Sequence, residues 1–317
     1  MMKNMMKAVI YNKQASPDKF VYCDVEIPTP TDNEVLIKVK SASVNAADYR
    51  SMKMGMIPKK KIFGADLAGI VEAVGKNIKK FKPGDEVIGE LSNVGFGGFA
   101  QYAVALETVL IHKPANISFE EAAALPMASV TALQGLRDIG HIQRGQHVLI
   151  VGSSGGVGTF AVQLGQYFGA IVTGVCSTKH VEQTKILGAD SVIDYKRENF
   201  AKTNRTYDLI LAINGNYPLS LYKRMLNPNG RSVMVGGTLS QIFKSMLFAR
   251  LMSFGSKKMR MLMAKSNQQD LAYIASLVER GDVTPVIDKQ FPLDRTADAM
   301  RYIAEGHAKG KILIHVE

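Results

Sequence analysis

A bulky apolar run, Val148-Leu149-Ile150-Val151, stops abruptly at Gly152-Ser153-Ser154-Gly155-Gly156-Val157-Gly158. The run, with His147 before it, has the length and composition of a strand buried on both faces. The small residues after it predict a tight turn. The spacing of Val157, Ala161, Leu164 and Phe168 predicts a helix over 156–168. A second strand is expected over 170–175, at the distance that a parallel crossover needs. Strand, glycine turn, helix, strand is the repeating unit of doubly wound α/β sheets. No other feature narrows the fold so far.

The turn also has a chemistry. A helix N-terminus offers unpaired N–H groups and the positive end of a dipole, and both suit phosphate. Gly155 lets a backbone approach a diphosphate closely, and Gly158 lets helix and strand pack. The six-residue dinucleotide fingerprint opens on glycine, and Ser153 stands there instead. The next strand ends Val175-Cys176-Ser177-Thr178-Lys179, and no acidic residue occurs between Asp138 and Glu182. NAD sites place a carboxylate at this strand end to hold the ribose. Ser177, Thr178 and Lys179 suit a 2′-phosphate, so NADPH is the expected cofactor. Lys179 is otherwise an ordinary exposed lysine. Gly152 to Gly156 also satisfies G-x-S-x-G, with Ser154 as nucleophile and Asp288 and His307 or His315 downstream. That alternative leaves Gly158 and the first third of the chain unexplained.

The remaining sequence divides in two. Up to about residue 115, short strands at 35–39, 69–75 and 86–88 alternate with turns such as Lys82-Pro83-Gly84-Asp85. This texture suggests a compact β-barrel. From about 118, helix and strand alternate, with later strands expected at 191–193, 207–212 and 231–235. A helix over 294–305 and a strand over 311–316 close the chain. The 317 residues suffice for two domains, and 46% of them are hydrophobic. No uninterrupted apolar run reaches about 18 residues, so no membrane-spanning helix is expected, and residues 1–7 do not resemble a leader. The two cysteines, Cys23 and Cys176, are far apart, which suggests a reducing cytoplasm and no disulfide. The net charge of +11 would draw an anionic cofactor. No nucleic-acid motif accompanies it.

Several ordered segments carry a resemblance. They are Val44-Asn45-Ala46-Ala47-Asp48-Tyr49-Arg50, Gly64-Ala65-Asp66-Leu67-Ala68-Gly69-Ile70-Val71 and Phe81-Lys82-Pro83-Gly84-Asp85-Glu86-Val87. Ala123-Ala124-Leu125-Pro126 with Thr131-Ala132-Leu133, Gly188-Ala189-Asp190 with Ile193-Asp194-Tyr195, and Gly310-Lys311-Ile312 follow. From about Met6 to its end, the chain resembles the medium-chain dehydrogenase/reductase superfamily in its zinc-free quinone oxidoreductase branch. The resemblance implies a GroES-like β-barrel domain, 1–118 and 285–317, around a Rossmann doubly wound parallel-sheet domain, 119–284. It also implies a homodimer. Zinc-binding members carry cysteine where this chain has Asn45, and a His-Glu pair where it has Ala65-Asp66, so no metal is expected.

The resemblance assigns residues as well. Thr131, Ser154, Gly155, Gly156 and Val157 should line NADPH, and Ser177, Lys179 and Tyr195 its 2′-phosphate end. Asn214, Gly215, Val235, Gly236 and Gly237 fall at later strand ends, where open α/β sheets bind ligands. Lys311 should approach from the closing strand, unless it and Tyr195 are plain surface residues. Asn45, Asp48, Tyr49 and Arg50 form the substrate motif. Asn45 could donate a hydrogen bond to a carbonyl, and Tyr49 or water could supply a proton. Many relatives place that tyrosine one position later, where this chain has Arg50. Asp48 and Arg50 could instead pair to hold the loop. The implied activity is hydride transfer to a quinone or an α,β-unsaturated carbonyl. Enoyl-thioester reduction, and a non-catalytic NADPH- or RNA-binding role, are the alternatives. One further stretch, 241–265, is rich in methionine and phenylalanine and then turns basic. It reads as a lid over the substrate, a membrane-surface contact or a core helix followed by a strand over 259–264.

Overall fold

The computed structural model describes residues 4–12, 15–213, 217–237, 253 and 255–316. Two compact units divide the chain. One is Met1–Ala128 with Ser266–Gly281 and Pro285–Glu317, and the other is Ser129–Lys265 with Asp282–Thr284.

In the first unit, strands follow one another closely: β1 (Met5–Tyr11), β2 (Phe20–Glu26), β3 (Glu34–Val44), β4 (Asp66–Val74), β5 (Glu86–Glu90), β6 (Tyr102–Leu106) and β7 (Leu110–His112). β3 is the axis. It pairs antiparallel with β4 along one edge and with β6 along part of the other. Its last residues pair with a strand from the far end of the chain, described below. Inward positions of these strands, among them Val35, Ile37, Val39, Leu67, Val71 and Val87, fill one core with Phe63 and Phe99. β-branched residues suit such a pleated, buried surface. Short helices α1 (Ala46–Lys53) and α2 (Phe119–Ala123) follow β3 and β7, and α3 (Pro126–Gln134) leads into the second unit.

The second unit is a six-stranded sheet. β8 (His147–Val151) is followed by α4 (Gly156–Tyr167), β9 (Ile171–Cys176), α5 (Val181–Ile186), β10 (Ser191–Asp194) and β11 (Tyr207–Ala212). α6 (Leu219–Arg224), β12 (Leu226–Met234) and β13 (Lys258–Met261) complete it. The strand order is β10-β9-β8-β11-β12-β13, and every pairing is parallel. The order therefore reverses direction between β8 and β11. Ligands collect at the C-terminal strand ends beside such a switch point. The expected strands and the helix at 156–168 are present. α4 is buried more widely than one face, with Phe160, Val162 and Gly165 enclosed besides Ala161 and Leu164. β12 begins five residues before the expected 231, at Leu226. β13 runs over 258–261 and so covers only 259–261 of the strand expected over 259–264.

The chain then returns to the first unit through α7 (Gln268–Glu279), β14 (Ile287–Pro292), α8 (Thr296–Glu305) and β15 (Lys311–His315). β15 lies between β14, to which it is parallel, and β3, to which it is antiparallel. Ile312 sits opposite Val44, so Lys311 enters the sheet beside Asn45.

Candidate functional site

The turn after β8 is folded onto the neighbouring strand. The N–H groups of Gly152 and Ser153 both donate to the Val175 carbonyl, at 3.0 and 3.1 Å. Ser153 is fully buried, with its Oγ 3.4 Å from Thr184 Oγ1. A Cβ at Gly174 would lie 2.9 Å from that Oγ. A glycine on β9 thus supplies the space that the fingerprint's first glycine usually provides. Gly158 is tighter still, since a Cβ there would fall 2.1 Å from the Gly152 carbonyl oxygen. Gly155, the residue capping α4, differs: a Cβ there meets nothing nearer than 3.9 Å. The first turn of α4 carries no acidic residue. Its amides, at Gly156, Val157 and Gly158, and the dipole behind them form a site for an anion. Ser154 is half-buried in the same turn. Asp288 accepts from Tyr302 Oη and the Lys309 N–H, and His315 faces Glu120 at 3.8 Å. The acid–histidine pair needed by the nucleophile-elbow reading is not formed.

The other strand ends gather along the same edge. The Ile213 N–H donates to Val151, and the Val235 N–H to Ala212. The ends of β8, β11 and β12 are therefore tied together, with Gly236 and Gly237 buried just beyond. Thr131 is buried on α3. Asn214 and Gly215 lie outside the described residues, as does most of the 241–265 stretch.

At the end of β9 the structure corrects the sequence reading. A carboxylate is present, supplied by β10. Asp194 stands in register opposite Cys176 and accepts the Thr178 hydroxyl at 2.7 Å. Its other oxygen accepts the Lys196 N–H at 3.0 Å. The Thr178 hydroxyl holds the Asp194 carboxyl below its ordinary range, with smaller help from the Lys196 amide and Arg197. Ser177 is half-buried, while Lys179, Tyr195, Lys196 and Arg197 are exposed. Three cations thus follow two adjacent strand ends. Lys196 also lies over the Tyr195 ring, 5.5 Å from its centroid. Lys196 and Arg197 escaped the sequence reading, because only the strand pairing places them beside the end of β9.

In the first unit, Asn45 lies between two buried charges. Its Nδ2 donates to Asp66 at 2.8 Å, and its Oδ1 accepts from Lys311 at 2.7 Å. Lys311 Nζ is itself 3.4 Å from Asp66, and their side chains are 2% and 0% exposed. Asp66 also accepts from Ser43 and from the Met127 N–H, at 2.7 and 3.1 Å. An ammonium facing the carbonyl and a carboxylate facing the amino group leave the amide one orientation. The amino group carries two hydrogens, and Asp66 takes one. Lys311 is therefore no surface lysine. Burial pulls its ammonium below the usual lysine range, against the pull of Asp66. Glu90, opposite Asp66 on β5, is raised by burial and then by the Asp66 charge.

Asp48 is buried one helical turn away, and it does not pair with Arg50. One oxygen accepts the Asn45 N–H at 2.8 Å, closing the first turn of α1, and the other has no hydrogen-bond partner. Burial, with a lesser push from Asp66, drives its carboxyl up to about 7. Tyr49 packs half-buried against the barrel core, and Arg50 is half-buried. Between the ordinary aspartate range and about 7, the folded chain holds a proton on Asp48 that the unfolded chain releases. Stability contributed by this group falls as pH rises through that window. Asp48→Asn keeps the acceptor and should flatten the slope of urea midpoint against pH between about 4 and 7. An unchanged slope would show that another group, such as Glu90, sets it.

Comparison with known proteins joins both units. Residues 31–115 match the family described as the alcohol dehydrogenase GroES-like domain, and residues 187–314 match the one described as zinc-binding dehydrogenase. The chain is 33% identical to the chloroplast envelope quinone oxidoreductase homolog of Arabidopsis thaliana, over 98% of both chains.

It belongs to the medium-chain dehydrogenase/reductase superfamily, in the quinone oxidoreductase-like branch.

A second relative of this medium-chain reductase is the chloroplastic NADPH-dependent alkenal/one oxidoreductase of Arabidopsis thaliana, 31% identical over 98% of this chain and 79% of that one. The solved quinone oxidoreductase from Coxiella burnetii superposes with a TM-score of 0.90 at 27% identity, over 99% and 100% of the two chains. The two units are accordingly a GroES-like barrel and a Rossmann sheet. Of Asn45 and the Ala65-Asp66 pair, set above against the cysteine and His-Glu pair of zinc-binding members, Asn45 and Asp66 both face the Lys311 ammonium. Among its described residues, no three His, Cys, Asp or Glu side chains are grouped to hold a metal ion, and no helix is long and apolar enough to cross a membrane.

Proposed function

We propose that the chain is a metal-free, NADPH-dependent oxidoreductase that reduces a quinone or an α,β-unsaturated carbonyl compound. The reading rests above all on the 152–158 turn, where Gly158 admits no side chain and Gly155 opens onto free space at a helix N-terminus. The relatives named for quinones and for alkenals and alkenones support the choice of acceptor. Two free cysteines suit a reducing compartment such as the cytoplasm. The homodimer is carried over from the superfamily.

When bound, the reduced nicotinamide nucleotide supplies the hydride. The amides of Gly156 and Val157 and the α4 dipole hold its diphosphate, with Ser154 and Gly155 alongside. Lys179, Lys196 and Arg197, with the Ser177 hydroxyl, hold the 2′-phosphate, and Tyr195 flanks it. Asp194 is already engaged by Thr178 and Lys196, which keeps its carboxylate from competing. Thr131, Val235, Gly236 and Gly237 would line the remainder. In the barrel, Asn45 offers its second amide hydrogen to the acceptor oxygen, on which negative charge grows. Lys311 polarises that amide from its carbonyl side, making it the stronger donor. Tyr49 or water returns the proton.

The test is turnover by purified protein freed of metal, with NADPH or NADH, across quinones, 2-alkenals, enones and enoyl thioesters. Rapid NADPH oxidation with a quinone, enal or enone is expected. Turnover of enoyl thioesters only would favour the runner-up, and none with any acceptor would overturn the proposal. A lost charge-assisted hydrogen bond is worth roughly tenfold to a hundredfold in binding. Lys179→Glu should therefore raise the KM for NADPH by about that factor and barely alter the KM for NADH. Equal changes would remove Lys179 from the site.

A further inference from the structure

Beyond the Asn45 end of α1, the same helix leads to a surface that the proposed reaction does not use. α1 ends at Lys53, and Gly55, at a φ of +76°, turns the chain just beyond it. Met54, Met56 and Ile57 follow one another there, exposed by 60%, 45% and 42%. Among the described residues, twelve large apolar side chains are exposed, and three of them fall within these four positions. Scattered exposed apolar residues need no explanation, whereas a cluster does. The loop is also held at both ends. The Met56 N–H donates to Ser51 at 2.9 Å, the Lys61 N–H to Pro58 at 2.8 Å, and Ile62 bridges Ile10. Its apolar tips are thus fixed outward by backbone bonds.

Charge surrounds this tip. Lys53, Lys59, Lys60 and Lys61 are all exposed. None of the four has an ion-pair partner among the described residues, and no acidic residue occurs between Asp48 and Asp66. Glu34 is a carboxylate whose field reaches Lys59 and Lys60, but it is already spent on the Thr31 N–H at 2.9 Å. An exposed apolar segment flanked on both sides by lysines without ion-pair partners complements one kind of surface: an apolar layer under anionic headgroups. A bilayer with anionic lipid offers both parts in one layered surface, phosphates for the lysines and an acyl boundary for the apolar side chains.

We propose that the 53–61 loop docks this protein on anionic lipid bilayers, with Met54, Met56 and Ile57 entering the acyl boundary and the four lysines meeting phosphates. α1 has eight residues, so the docked end and Asn45 are about 12 Å apart along the helix. A lipid-soluble acceptor would then be taken up beside its own solvent. Docking does not depend on turnover, and the two can fail separately.

Flotation on a density gradient tests it, using vesicles of phosphatidylcholine with 30% phosphatidylglycerol and vesicles of phosphatidylcholine only. The wild-type chain should float with the anionic vesicles at low salt and be released by high salt. It should stay behind with the neutral ones. A lysine near such a surface is worth about fivefold in partitioning, so Lys59→Gln/Lys60→Gln/Lys61→Gln should weaken binding about 100-fold. Met54→Ser/Met56→Ser/Ile57→Ser should also abolish flotation. All six positions are exposed, so both variants should keep the unfolding temperature and the NADPH oxidation rate with a water-soluble quinone. No flotation of the wild type, or wild-type flotation of either variant, overturns the proposal. So does a dimer that the serine variant dissociates in sedimentation while no vesicle is bound, which would make the loop an interface between copies.

Discussion

Lys311→Met lowers stability by about 3–5 kcal/mol, the usual cost of leaving one partner of a buried ion pair uncompensated. Methionine nearly matches the length of lysine, so little volume is lost and charge is the variable. Asp66 keeps its bonds from Asn45, Ser43 and Met127, but no cation stands against it. Asn45 loses the partner of its carbonyl, and the amide becomes free to turn over. The barrel's urea transition should move to lower denaturant. The reduction rate should fall while nucleotide affinity holds, because the Lys311 ammonium is spent on Asn45 and Asp66 and the proposed nucleotide residues belong to the other unit. The second variant, Lys311→Met/Asp66→Asn, removes both charges. It should recover much of the lost stability without recovering the rate. If the single substitution costs under 1 kcal/mol, or the pair is no better than the single, the charges do not act as a unit.

Gly158→Ala should cost the turn its shape. The added methyl carbon would sit 2.1 Å from the Gly152 oxygen and 2.7 Å from the Ser153 carbonyl carbon. Both neighbours are backbone, so no side chain can rotate aside. Overpacking of this kind costs about 1–3 kcal/mol. The larger effect falls on binding, since the displaced amides are the proposed diphosphate donors. Two lost charge-assisted hydrogen bonds weaken NADPH by about 100-fold or more, readable by titration calorimetry. Gly155→Ala provides the contrast. Its Cβ meets nothing nearer than 3.9 Å, so the urea midpoint should hold while binding still falls. Normal binding in Gly155→Ala would show that the open space beside this residue is not where the phosphates lie.

What was legible in the sequence follows from distance along the chain. β8 and α4 could be placed because a strand buried on both faces and an apolar helix leave local patterns. β12 begins earlier than expected because Asn227-Pro228-Asn229-Gly230 has the composition of a turn. The strand nevertheless runs through it, with a register shift against β11 and Asn229 at a φ of +65°. Asp194 was missed as a neighbour of Thr178 because the sequence rule looks for an acid at the end of the same strand. In this fold the acid comes from the strand alongside. The Lys311–Asp66 pair spans 245 positions. A lone lysine is ordinarily an exposed one, since burying its charge is costly. Only the pairing of β15 with β3 reveals that this one is enclosed. Arg50 suggests itself as a partner for Asp48 on the strength of their proximity, but one Asp48 oxygen caps α1 and the other is buried without a hydrogen-bond partner.

The placement of β15 also sets an order of events during synthesis. The 41–44 edge of β3 pairs with residues 312–315. At 5–20 residues per second, the ribosome needs roughly 15–50 s to travel from one to the other. Throughout that interval the barrel has an open seam, while the parallel sheet encoded between has all its strands once residue 261 is made. The nascent chain therefore completes its middle before its beginning, and the early third is the part that needs shielding from aggregation until residues 312–315 are made.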